Sequence, residues 1–102
     1  MKYIISESRI IPILKKFIIR SLGEYVEEPS EHRRNLGYQG KFFNDGKVMG
    51  EVGSGTFRIN VDLYITMSNM FDMNVDDLDP YIIEVVNEVT SPYKVYRVSL
   101  GI

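Results

Sequence analysis

Between Arg9 and Leu22 the chain reads RIIPILKKFIIRSL, and this spacing constrains the fold more than any other feature. Successive helical residues turn by about 100°. On that wheel Ile10, Ile11, Ile13, Leu14, Phe17, Ile18 and Leu22 cover about half the circumference, while Arg9, Lys16 and Arg20 share the opposite face. Ser6 or Ser8 can cap the start, Gly23 suits a left-handed stop, and Pro12 belongs near the first turn, where no hydrogen bond is lost. That arc exceeds the roughly 100° stripe that suffices for a surface helix, and a sheet with one face covered by helices buries the apolar faces of both.

The remaining segments supply that sheet. In KFFNDGKVMGEV, Asn44-Asp45-Gly46 separates two apolar-containing strands, because Asp-Gly tolerates the positive φ of a tight turn. Gly53-Ser54-Gly55 makes a second turn. TFRINVDLYI then alternates, with Phe57, Ile59, Val61, Leu63 and Ile65 on one side, and predicts a half-buried strand over 56–65. A short helix is expected over 66–71 and a longer one from Pro80, with Ile82, Ile83, Val86 and Val89 at helical spacing. Asp79 would be its N-cap and Pro80 its first residue, and Ser91-Pro92 would end it before a last strand in YKVYRVSL. Residues 24–40 read as a polar connection with a short strand at 24–27. The expectation is one α+β domain over 1–102: an N-terminal amphipathic helix, an antiparallel sheet of three to four strands, then a C-terminal helix and a last strand.

Composition sets outer limits. The chain is 102 residues long, 44% hydrophobic and 25% charged, which is globular usage with room for a modest core. Without cysteine it has no disulfide, thiolate nucleophile or cysteine metal site. Glu7, Arg9, Lys15, Lys16 and Arg20 break up the N-terminal apolar run, so no uncharged stretch approaches the roughly 18 residues that span a bilayer. A soluble, cytoplasmic domain without a membrane partner is therefore expected. The net charge of −2 favours no polyanionic partner overall, but the charge is unevenly distributed. Residues 1–22 hold five basic residues against Glu7, whereas residues 59–93 hold seven acidic residues and no lysine or arginine. The two regions can complement one another within a fold or between copies.

Five patterns in the chain could carry chemistry. In DMNVDDLD, Asp72, Asn74 and Asp76 match ligand positions 1, 3 and 5 of a calcium loop. Position 6 is Asp77 rather than glycine, position 12 is Ile83, and Pro80 belongs to a helix start, so capping explains the aspartates better than metal. GEVGSGT (50–56) lacks the lysine of a phosphate loop and precedes a strand instead of a helix. His32 is the sole histidine, in a polar loop without a partnered nucleophile. Fourteen carboxylates include no spacing that marks a catalytic pair, so neither an enzyme nor a cofactor is expected. Arg9, Lys16, Arg20, Arg33 and Arg34 could contact phosphates, with Tyr25 and Tyr38 to stack, although Glu24, Glu27, Glu28 and Glu31 oppose this.

What remains is an apolar surplus, including the cluster Met67, Met70 and Met73, suited to an adaptable contact surface. Ile11, Ile18, Ile19, Leu22, Met67 and Met70 are the candidate contacts to a protein partner or to a second copy. The expected role is a non-catalytic interaction or assembly protein; the alternative is a small nucleic-acid-binding regulator using the basic helix face. The opening MKYIISES, followed by an amphipathic helix, resembles the start of many short bacteriophage-encoded proteins of unknown function. That resemblance covers about twenty residues and implies a phage or bacterial origin, hence the host cytoplasm or a virion. It carries over no functional residues.

Overall fold

The computed structural model describes residues 7–27 and 39–101. Among them run α1 (Glu7–Leu22), β1 (Glu24–Glu27), β2 (Gly40–Asn44), β3 (Lys47–Gly53), β4 (Thr56–Ile59), α2 (Val61–Phe71), α3 (Val75–Thr90) and β5 (Arg97–Leu100). The strands form one sheet in the order β1-β2-β3-β4-β5. The first three pairings are antiparallel, and β4–β5 is parallel. Parallel neighbours need a long crossover, and α2 and α3 provide it. The α+β architecture expected from the sequence is the one observed.

Directly opposed residues share a face of a sheet. The register therefore aligns Tyr25, Phe42, Gly50, Ile59 and Leu100 in one row, and Gly40, Val52, Phe57 and Val98 in the next. These rows meet the helices. Leu14, Ile18 and Leu22 of α1 join Phe42, Val52, Phe57 and Ile59 of the sheet and Leu78, Ile82, Val85 and Val86 of α3 in one buried cluster. Phe42 and Phe57 pack edge to face at 5.7 Å. Gly50 makes that possible, because a Cβ there would lie 2.3 Å from the Phe57 ring. The other face carries the row Val26, Lys41, Glu51, Arg58 and Ser99. Lys41, Glu51 and Arg58 alternate in charge along that row.

Gly23 ends α1 as expected. Its φ is +80°, its N–H reaches the Ile19 carbonyl at 3.2 Å, and a Cβ would collide with the Phe43 carbonyl. The Asn44 amide donates to the carbonyls of Arg20 and Ser21, both at 3.0 Å, so the end of β2 caps the end of α1. Both expected turns form, through Asp45-Gly46 and Ser54-Gly55 at positive φ.

Three local expectations are corrected. The strand over 56–65 stops at Ile59, because buried Asn60 caps α2, its Oδ1 accepting from the Leu63 N–H at 3.0 Å. The alternation up to Ile65 was coincidental: Leu63, Tyr64 and Met67 are buried at helical spacing, whereas Ile65 is exposed. Asp79 does not cap the last helix. Asn74 does so, accepting from the Asp77 N–H at 3.0 Å, and α3 begins at Val75. Pro80 thus lies in the second turn, as Pro12 does in α1. Pro80 and Asp76 are exposed, so the carbonyl left without its helical donor stays open to water. The last strand starts at Arg97 rather than Tyr93. Asn87 mimics a backbone there, accepting from the Val95 N–H at 2.7 Å and donating to its carbonyl at 3.1 Å.

Candidate interaction surfaces

The structure divides the six apolar contact candidates. Ile18, Leu22 and Met67 are completely buried, so they belong to the core and cannot touch a partner while the domain is folded. Ile11 is half-buried, and Ile19 and Met70 are exposed. Period alone could not separate them, because the apolar arc of α1 is wider than the groove that receives it. Phe17, at one border of that arc, packs edge to face on Phe71 of α2 at 5.8 Å.

Arg9, Lys16 and Arg20 are all exposed, with Ile13 also exposed on the same turn of the wheel, and they make no ion pair among the described residues. Lys15 points to the neighbouring helix and donates to Glu84 of α3 at 2.6 Å. That hydrogen bond, reinforced by the nearby Glu88 charge, holds the Lys15 ammonium above its usual range. Some of the charge complementarity read from the sequence is thus satisfied inside the fold. Tyr25 does not offer a free stacking face, since its ring packs on Phe42 at 4.9 Å and covers Gly40. Arg33, Arg34, His32 and Tyr38 lie outside the described residues.

The aspartates of DMNVDDLD are distributed through a helix junction. Asp72 is the left-handed residue ending α2, Asn74 caps α3, and Asp76 and Asp77 occupy its first turn, near the positive end of the helix. Ser68 closes the turn, donating to the Met73 carbonyl at 2.6 Å. Asp79 accepts from the Tyr64 hydroxyl at 2.7 Å, tying α3 to α2. Burial, and then that bond to a carboxylate, push the Tyr64 phenol well above its ordinary value. Among the described residues no group of three or more His, Cys, Asp or Glu side chains could hold a metal ion. Likewise Gly50–Gly53 are strand residues, with their backbone committed to the sheet rather than to a phosphate.

Two depressions flank α3. A cleft of about 550 Å³ toward α1 is floored by Ile10, Met73, Pro80 and Tyr81 and rimmed by Asp76, Asp77 and Glu84. A shallower groove of about 270 Å³ lies toward β5, between Val75, Pro80 and Ile83 of α3 and Tyr96 and Val98, with Tyr96 immediately before the strand; Asp76, Asp79 and Arg97 also line it. β5 pairs with β4 on one side and with no described strand on the other. Exposed apolar residues lie around it: Tyr96, just before the strand, is 76% exposed, Val75 of α3 52% and Leu100 49%. Sequence reasoning did not single these residues out. The signal was present in the alternation Tyr96, Val98, Leu100 against Arg97, Ser99, but nothing local says that a strand lies at an edge.

No family model, curated protein or solved structure matches the chain. Among the described residues no helix is long and apolar enough to cross a membrane.

Proposed function

We propose that this chain is a non-catalytic interaction or assembly protein that recruits its partner by strand addition at β5. The observation that carries the reading is the β5 edge, paired with no further strand among the described residues, with a largely apolar groove beside it. Exposed edges present unpaired N–H and C=O groups, so an extended segment can complete the ladder while alternate side chains enter the groove. Ile11, Ile19 and Met70 remain secondary contacts on the helical layer. The resemblance of MKYIISES to phage openings supports a setting in a virion or in host cytoplasm. The test compares affinity capture by the unaltered chain and by Tyr96→Lys, which alters an exposed side chain. Partner capture lost in the variant, with the melting temperature unchanged, is expected; capture that the variant leaves intact removes β5 from the reading.

A second reading rests on Arg9, Lys16 and Arg20, exposed together on α1. A nucleic acid bound there would dissociate steeply as salt rises. Replacing all three by glutamate would abolish binding, and retention by that variant would end this alternative.

A further inference from the structure

We infer that the segment completing the β5 edge is the same strand of a second copy, paired antiparallel about a two-fold axis through Val98. This rests on the strand-addition reading above and names its partner.

β5 spans Arg97–Leu100, and Tyr96 immediately precedes it, its N–H donating to the Gly55 carbonyl at 2.7 Å. Tyr96, Val98 and Leu100 alternate with Arg97 and Ser99. An antiparallel pairing centred on Val98 sets Tyr96 opposite Leu100 of the second copy, Val98 opposite its own counterpart, and Arg97 opposite Ser99. All three apolar pairs then fall on one face and both polar pairs on the other, and no like charges are opposed. A one-residue slip would set apolar residues against polar ones throughout. The apolar row of β5 continues that of Phe57 and Ile59, so the two helical layers meet on the same side of one continuous sheet. Closed two-fold symmetry suits such a surface, because each copy offers the same patch to the other.

Area decides what else takes part. A stable dimer buries about 1,200–2,000 Å² in total, more than two short strands supply. The groove must therefore close too, and its apolar wall on α3, Val75 and Ile83, is where the added strand's Tyr96 and Leu100 would lie. Asp76 and Asp79 line the same groove. Arg97 lines it too, so each copy brings one cation to two carboxylates; the remaining like charge means that salt should strengthen this dimer modestly or leave it unchanged.

Sedimentation velocity across a concentration series, on the full chain, tests the inference. A concentration-dependent dimer that persists or tightens as salt rises is expected. Tyr96→Lys should abolish it while the circular dichroism and thermal melt stay those of the parent. Register is tested by charge: Ser99→Glu sets a carboxylate opposite Arg97 of the second copy and should tighten the dimer by about fivefold. Adding Arg97→Glu to that variant opposes like charges and should reverse the gain. A strict monomer overturns the inference; if Tyr96→Lys still abolishes capture of another protein, strand addition survives with a different partner. A dimer indifferent to Tyr96→Lys and dispersed by salt also overturns it, and points to the basic face of α1 against the acidic end of α3.

Discussion

The two edges of the sheet have similar lengths and opposite characters. β1 carries Glu24 and Glu27, both exposed, and Val26 as its one strongly exposed apolar residue. If two copies of β1 paired over all four residues, Glu24 of each would oppose Glu27 of the other, and Pro29 follows closely in sequence. Charges and proline are the usual protection of an edge against pairing. β5 has one charge, no proline, and an apolar groove running beside it. The difference teaches that openness alone does not mark a contact surface; what matters is whether the edge opposes or accommodates another strand.

Four experiments test that contrast. The largest effect should come from Phe57→Ala, in the strand on which β5 rests. It removes a fully buried ring and its contact with Phe42, and should cost about 3–5 kcal/mol in urea unfolding. Next is Asn87→Ala, which leaves the buried Val95 N–H and carbonyl without partners and should cost about 2–3 kcal/mol. Hydrogen exchange should then accelerate at residues 95–100 while the β1 amides stay unchanged; equal acceleration at both edges would show that Asn87 supports the whole domain.

The third experiment is a pH titration. The Tyr64 phenol ordinarily ionises at 10.0, and its folded value is raised by burial and by the bond to Asp79. Above pH 10 the unfolded chain therefore loses this proton while the folded chain keeps it, and stability must fall as pH rises. Tyr64→Phe should flatten that part of the decline, and an unchanged slope would assign it to other groups. The smallest effect is expected from Glu24→Thr with Glu27→Thr. Removing the β1 charges should introduce weak association at that edge, detectable as a sedimentation shift only at high concentration. Unaltered monomeric behaviour at that edge would mean that geometry rather than charge protects β1.

Several elements were legible because their signals are local. Gly23 stops α1, Asp45-Gly46 turns the hairpin, and the short strand expected at 24–27 forms there. The misread elements were those in which two local signals competed. From Phe57 to Ile65 the period-2 pattern and the Asn60 cap made opposite claims. The cap prevailed because helical spacing buries Leu63, Tyr64 and Met67 together. At DMNVDDLDP, Asn74 and Asp79 are both competent caps. Asn74 took the role, while Asp79 was drawn to the hydroxyl of Tyr64, a partner fifteen residues away in sequence.

The sequence by itself determined the α+β class, the amphipathic first helix, the tight turns and the absence of thiol chemistry. All of these follow from the identity and spacing of near neighbours. Only the tertiary structure decided that Ile18, Leu22 and Met67 are core while Ile19 and Met70 are surface, because a helix's own periodicity does not say how much of its apolar arc is covered. It also decided that β5 pairs in parallel with β4 and lies at an edge of the sheet among the described residues. Strand order depends on which distant segments meet and on the crossover that joins them, and neither is encoded in the pattern of any single strand.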